Sequence, residues 1–125
     1  MSWDPHVASG IKNSGDVKSA AIIGKDGAVW GKYGSCPQIT AQELEECSGH
    51  LAKNETCSNN FEGKKHMYIN NIEGCGGYRC GPQSVAVYSA NTHYGVVIGK
   101  DGVSVPACME LAQNLKQTLA GVGYQ

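Results

Sequence analysis

The chain has 125 residues, of which 41% are hydrophobic and 17% are charged, with 10 basic and 11 acidic side chains. This length favours one domain over residues 1–125 with its own hydrophobic core, and a net charge of −1 argues against nucleic-acid binding, which needs a dense basic face. No apolar run approaches the roughly 18 residues of a membrane span, so we expect a soluble protein.

The first predicted element is a helix over Ser2–Ser14. Trp3, Val7 and Ile11 recur at four-residue spacing, which places them on one side of such a helix. Pro5 is tolerated in its first turn, where an N–H would have no partner within the helix. We therefore expect a helix at the start of the chain with one buried side.

Two copies of the pentapeptide Ile-Gly-Lys-Asp-Gly, at Ile23–Gly27 and Ile98–Gly102, each continue an apolar run. Asp-Gly between apolar runs is typical of a β-hairpin, because glycine supplies the positive φ that such turns need. We therefore predict two similar hairpins, one joining Ser19–Gly24 to Ala28–Gly31 and the other ending in Val103–Val105. A phosphate-binding loop is not indicated, since both copies lack the Walker spacing and its Ser or Thr.

The remaining periodicity predicts two more helices separated by strands. Thr40 and Glu43 form a capping box at the start of a helix over Thr40–Ala52. Period-two alternation in the middle of the chain is typical of half-buried antiparallel strands, and a last helix begins at Pro106 and ends near Gly121. The predicted strands are His66–Asn71, Ser84–Ser89 and Tyr94–Gly99, and the apolar side of the last helix comprises Cys108, Leu111, Ala112, Leu115 and Leu119.

Six cysteines raise the question of whether disulfides hold the chain together. An even number is compatible with a disulfide framework, but six of 125 residues is about 5%, below the roughly 8–10% of disulfide scaffolds. The start of the chain, Met1–His6, also lacks the basic and apolar regions of a secretory signal. We therefore expect a cytoplasmic protein with reduced thiols at Cys36, Cys47, Cys57, Cys75, Cys80 and Cys108.

Few residue groupings suggest catalysis or metal binding. Cys75 and Cys80 are separated by four residues in a glycine-rich segment, so a metal or redox pair is one interpretation. Zinc would need two more ligands, for which Cys57 and His66 are candidates if the fold brings them close. No Gly-x-Ser-x-Gly elbow, Cys-x-x-Cys or His-x-x-x-His spacing occurs. Two free thiols are the simpler interpretation, and we expect no catalysis, no metal and no other cofactor.

Three aromatic residues lie near the ends of predicted elements: Trp3 on the first helix, Trp30 at the end of the first hairpin, and Tyr124 beyond the last helix. One interpretation is that they fasten the terminal helices to the sheet. The other is that they line an exposed aromatic groove, the kind of surface into which polyproline II segments dock. The residue pattern alone leaves both interpretations open.

Short motifs occur at both ends of the chain in a consistent order. They are Ser2-Trp3, Ala20–Gly24, Asp26-Gly27 and Trp30 near the start, and Gly99–Val103 and Cys108–Leu115 near the end. Together, over roughly residues 1–33 and 84–124, they resemble the motifs of profilins. The stretch between them, residues 34–81, is similar only in the order of its elements.

Profilins are small, non-enzymatic, cytoplasmic proteins associated with the cytoskeleton. They bind monomeric actin and, on a separate face, proline-rich segments of actin-assembly proteins such as formins, and some also bind phosphoinositide head groups. The resemblance implies an α+β fold, with a central antiparallel sheet, the N- and C-terminal helices packed on one face, and a further helix on the other. A roadblock- or longin-like regulatory domain, which dimerises and contacts small GTPases, is the alternative, but that architecture does not call for the aromatic set.

The resemblance also implies two binding surfaces. Polyproline segments bind profilins between the terminal helices, where His6 stands in place of the family's usual tyrosine. Actin binds the later strands, the last hairpin and the start of the C-terminal helix. This segment is poor in lysine and arginine here, so weaker binding of actin and phosphoinositides is expected. The implied polyproline residues are Trp3, His6, Trp30, Asn114, Leu115, Thr118, Leu119 and Tyr124, and the implied actin residues are Lys65, Arg79, Lys100, Val103, Ser104 and Glu110.

Overall fold

Three helices and seven strands make up the part of the chain that the computed structural model describes, which is residues 4–11, 15–34, 39, 41–52, 59–61, 64–72 and 75–121. None of these helices has the length and hydropathy of a membrane span. In chain order the elements are α1 (Asp4–Gly10), β1 (Val17–Gly24), β2 (Val29–Gly34), α2 (Ala41–Ala52), β3 (Asn59–Phe61), β4 (Lys64–Ile72), β5 (Cys75–Cys80), β6 (Gln83–Ser89), β7 (His93–Gly99) and α3 (Val105–Gly121).

The strands form one antiparallel sheet in the order β2-β1-β7-β6-β5-β4-β3. Its first two strands are the hairpin predicted around the first Asp-Gly pair, which is confirmed. Gly27 adopts a φ of 93°, and the Asp26 carboxylate accepts a hydrogen bond from the Ala28 N–H at 3.0 Å. Local sequence therefore fixes this turn, because only the glycine position needs a left-handed backbone.

The second copy of the pentapeptide does not form a hairpin, so that prediction is wrong. Gly102 again has a positive φ, of 90°, but the chain then enters α3 at Val105 rather than a strand. Ser104 is the reason, since its hydroxyl accepts a hydrogen bond from the Ala107 N–H at 3.3 Å and so caps the helix. Pro106 falls in the first turn of α3, where it costs no hydrogen bond.

The two faces of the sheet carry separate hydrophobic cores. α1 and α3 cover one face, which we call the helix-pair face, and α2 covers the other, the α2 face. The predicted α+β arrangement, with the terminal helices together and a further helix opposite, is confirmed. Buried side chains of the helix-pair face include Val7, Ile22, Tyr88, Val97, Cys108 and Leu115, and those of the α2 face include Ile23, Leu44, Cys47, Tyr78, Val87 and Val96.

One predicted helix, the first, differs from the observed one at its end. α1 ends at Gly10 rather than at residue 14, and Ile11 lies in a turn although its N–H still donates to the Val7 carbonyl at 3.1 Å. Glycine has a low helix propensity, which favours an end at this position. α2 carries Leu44 and Cys47 on its buried side as predicted, whereas Thr40, the proposed cap, lies outside the described residues.

Cys75 and Cys80 lie on the same strand, β5, and do not form a pair. They are five positions apart, so they point to opposite faces of the sheet, and Cys75 is buried against α3. Across the described residues, no three His, Cys, Asp or Glu side chains are grouped to hold a metal ion. Burial raises the pKa of the Cys47 and Cys75 thiols to about 12 and that of Cys108 to about 11, so these three thiols stay protonated and unreactive at neutral pH.

Candidate functional site

α1 and α3 lie side by side at close range because one position between them has no side chain. A Cβ on Gly10 would stand 2.6 Å from Leu115 Cδ1 and 2.8 Å from its Cα. The backbone of α1 thus approaches the backbone of α3 through Gly10, and α1 also contacts β2 on its other side. This approach sets the spacing of the two helices, and we call the line along which α1 and α3 meet at the surface the crease.

Replacement of Gly10 by alanine should force the helices apart. Because the nearest atoms include the Leu115 backbone, we expect the free energy of unfolding to fall by roughly 1–3 kcal/mol despite alanine's better helix propensity. Urea denaturation measures the change. Gly49→Ala in α2 is the matched control, since a Cβ there meets nothing within 4 Å and should stabilise the protein by about 0.5–1 kcal/mol. Equal effects of both substitutions would contradict the close approach.

Trp30 projects from β2 onto the helix-pair face and is half-buried there. Its indole crosses β1 at Gly24, where a Cβ would stand 2.7 Å from Trp30 Nε1. Gly24 is the register partner of His93 on β7, and the Trp30 and His93 ring centroids are 5.3 Å apart with an interplanar angle of 39°. A glycine in the intervening strand therefore lets two rings from non-adjacent strands meet.

His93 is fully buried below Trp30, whereas the sequence indicates it only as part of a turn. Its Nε2 is 2.9 Å from the Tyr88 hydroxyl, and its Nδ1 is 3.0 Å from the Thr92 hydroxyl. Burial, together with the charges of Lys25 and Lys116, lowers the pKa of His93 to about 4, so the ring is neutral at physiological pH. No sequence signal marks this position, because its importance depends on a contact with β2.

The α3 residues predicted for the polyproline surface fall into two pairs. Asn114 and Thr118 are half-buried, and the Thr118 hydroxyl donates to the Asn114 carbonyl at 2.9 Å. The Asn114 Nδ2 is buried and has no hydrogen-bond partner among the described residues. Leu115 and Leu119 are 0% exposed, so they belong to the core beneath the crease and offer no surface for a ligand. Their burial is at odds with the prediction that these two leucines contact a proline-rich ligand directly.

Three further residues complete the set predicted for polyproline binding. His6 lies on α1 and is half-buried. Trp3 and Tyr124 lie outside the described residues. The structure thus brings Trp30 onto the face covered by the helix that carries His6 and by the helix that carries Asn114 and Thr118.

A second surface lies where the start of α3 crosses β5. A Cβ on Gly77 would stand 2.6 Å from Met109 Sδ, so α3 passes directly over this glycine. Arg79, two positions further on, shares this face and is exposed, and its Nε donates to the Gly81 carbonyl at 2.9 Å. The other residues predicted for actin are exposed, apart from the half-buried Val103. They are Lys65 on β4, Lys100 and Ser104 before α3, and Glu110 on α3.

Sequence reasoning missed two apolar residues on this second surface. Met67, the register partner of Arg79, is 64% exposed, and Ile69 is 47% exposed. The alternation of β4 indicates one buried and one exposed side, but the buried side is the one that carries His66 and Tyr68. Met67 points to the face of α3, as Arg79 does, and Ile69 lies at the register shift between Tyr68 and Asn70. Apolar exposure at this level marks candidate contact residues.

Known proteins match both the sequence and the fold. The family model described as Profilin matches residues 1–124. The fold is similar to that of Acanthamoeba castellanii profilin IA, with a TM-score of 0.77 and 18% identity over 98% of this chain and 100% of that one. Mouse profilin IIa, solved with a double repeat from the FH1 domain of mDia1, gives a TM-score of 0.73 and 21% identity over 99% and 100% of the two chains.

LokiProfilin1, solved in complex with rabbit actin, gives a TM-score of 0.72 and 17% identity over 94% of this chain and 93% of that one. These identities are low, so the structural matches establish the fold, whereas the family match extends over almost the whole sequence. The chain therefore belongs to the profilin family.

Proposed function

We propose that this protein binds monomeric actin and proline-rich segments on two separate surfaces and so regulates actin polymerisation in the cytoplasm. The observation that carries the proposal is the half-buried indole of Trp30 on the face where α1 and α3 adjoin, within a chain of the profilin family. Profilin IIa of the mouse was solved with an FH1 repeat and LokiProfilin1 with actin, which supports the same two partner classes here. The proposed activity is binding and not catalysis.

The proline-rich partner fits the chemistry of the crease between α1 and α3. A polyproline II segment has no internal hydrogen bonds, so its carbonyls need donors and its rings need flat apolar surfaces. Trp30 offers such a surface, and the half-buried Asn114 and Thr118 lie on the helix beside it. Trp3, His6 and Tyr124 complete the proposed set. Because imidazole has less apolar area than the phenol usual at position 6, we expect moderate affinity.

The proposed actin surface combines an apolar centre with a charged rim. Met67 and Ile69 supply exposed apolar area beside Arg79, and Lys65, Lys100 and Glu110 are exposed charges around it. Buried apolar anchors supply most of the affinity at protein interfaces, whereas rim charges mainly set the association rate and its salt dependence. A face with few basic residues can therefore still bind actin, but it is poorly suited to phosphoinositide head groups, which need clustered positive charge.

Titration with poly-L-proline, followed by tryptophan fluorescence, tests the proposed function. We expect saturable binding by the wild type and at least a tenfold weaker affinity, about 1.4 kcal/mol, for Trp30→Ala. Val29→Ala is the matched control, because Val29 is the preceding residue, is 50% exposed and points to the other face of β2. Both variants should keep wild-type affinity for monomeric actin, since the actin surface is separate.

Two results would overturn this proposal. The polyproline part fails if the wild-type fluorescence does not change at millimolar proline concentrations, and the actin part fails if monomeric actin is not retained in a pull-down. A roadblock- or longin-like domain would instead be an obligate dimer. The family match does not favour that alternative, and its architecture has no use for Trp30.

A further inference from the structure

Three aromatic rings, those of Trp30, His93 and Tyr88, contact one another in sequence, and the last of them lies on Gly95. His93 contacts the indole from below, and the Tyr88 ring meets the His93 ring edge-on, with centroids 5.5 Å apart and an interplanar angle of 89°. The Tyr88 ring in turn lies across Gly95, its register partner, where a Cβ would overlap the ring. Gly24 and Gly95 thus leave the room that the Trp30, His93 and Tyr88 rings occupy.

We infer that His93 is a positioning residue that fixes the Trp30 indole for the proline-rich ligand. This inference rests on the proposed function and extends it to a buried residue that no ligand touches. Both ring nitrogens are held, Nε2 by the Tyr88 hydroxyl and Nδ1 by the Thr92 hydroxyl, so the imidazole cannot turn about its axis without losing both hydrogen bonds. A side chain whose two ring nitrogens are both held provides a rigid support for the ring packed against it.

The chemistry of the two hydroxyls suits a neutral imidazole. A neutral ring donates from one nitrogen and accepts at the other, and each hydroxyl can serve as either partner, so both tautomers are fully satisfied. The cations near the ring are Lys25, from the turn after β1, and Lys116, from α3, and no acidic group among the described residues acts on its ionisation. Trp30 therefore rests on an uncharged, hydrogen-bonded surface, which is the state suited to packing an apolar ligand above it.

His93→Gln tests the inference, with His66→Gln as the matched control. His66 is also fully buried, and its two nitrogens lie 2.9 Å from the Lys64 carbonyl and 3.0 Å from Gln83 Nε2, but it lies on the other face of the sheet. We expect His93→Gln to weaken poly-L-proline binding about fivefold, and His66→Gln to leave it within twofold. Equal affinities for the wild type and a folded His93→Gln protein would overturn the inference.

A milder variant and a ligand-free measurement cover the case in which His93→Gln does not fold. Thr92→Val removes one hydrogen bond at an exposed residue and should weaken binding about twofold to threefold. In a Trp3→Phe background, fluorescence reports Trp30 alone, and Thr92→Val should increase its quenching by acrylamide. Unchanged quenching would overturn the inference even if poly-L-proline binds. If the wild type binds no poly-L-proline, the proposed function fails, while the quenching still decides whether His93 positions Trp30.

Discussion

Replacement of Gly95 by alanine is expected to lower the free energy of unfolding by roughly 3 kcal/mol. Gly95 lies in β7 opposite Tyr88, whose fully buried ring occupies the space that a Cβ would take. A rigid ring packed in a core cannot move aside as a flexible chain end can, so both the strand pairing and the ring must shift. The Tyr88 hydroxyl would also leave His93, so one hydrogen bond inside the core is lost as well.

Urea denaturation in two backgrounds separates this clash from a general intolerance of β7. In a Tyr88→Leu protein the ring is absent, so Gly95→Ala should lower the free energy of unfolding by less than it does in the wild type. The difference should be at least about 1 kcal/mol, as expected for two residues in contact. If Gly95→Ala costs the same in both backgrounds, the ring is not the obstacle and this explanation is wrong.

The stability of the protein is expected to fall steeply with acidification because of His93. The folded-state pKa of His93 is lowered to about 4, whereas an unfolded histidine titrates near 6.5. Above pH 6.5 both states hold a neutral ring. Between about pH 6.5 and 4 the unfolded chain binds a proton that the folded chain does not, so the free energy of unfolding decreases as the pH falls. The loss by pH 4 should be on the order of 3 kcal/mol.

The difference between the wild type and His93→Gln isolates this contribution from those of the carboxylates. Glutamine does not titrate, so the variant should lack this part of the pH dependence, and the two stability curves should converge as the pH falls from 7 to 4. Parallel curves over this range would show that His93 is protonated equally easily in the folded and unfolded states.

Periodicity predicted the fold well because the burial of apolar side chains determines both the spacing of apolar residues in the sequence and the way the helices pack on the sheet. The apolar positions of α2 and α3 recur every three or four residues and are the ones that face the sheet, as Leu44 and Cys108 illustrate. The failure came from the repeated pentapeptide, whose two copies form similar turns but lead to different elements. The difference lies in the residues after each turn, since Ser104 caps a helix at the position where Val29, in the first copy, begins a strand. A short repeat therefore fixes its own turn and not the element after it.

The candidate site was predicted only where single residues carry the signal. Trp30 is conspicuous because a large aromatic near the end of a hairpin needs an explanation, and the structure places it on the helix-pair face. His93 was missed because its contacts come from β2 and β6, and Met67 because alternation does not say which side of a strand is covered. These facts depend on tertiary packing, which no local pattern encodes.

α3 contributes residues to both proposed surfaces and therefore fixes the distance between them. Ser104, immediately before its first residue, is part of the proposed actin surface, and Thr118, near its end, is part of the proposed proline surface. At 1.5 Å of rise per residue, these positions are about 21 Å apart along the helix axis. An extended chain covers about 3.3 Å per residue, so a single partner that occupies both surfaces needs a connection of at least about six residues. A partner whose two binding segments are joined by a shorter connection could occupy only one of the two proposed surfaces at a time.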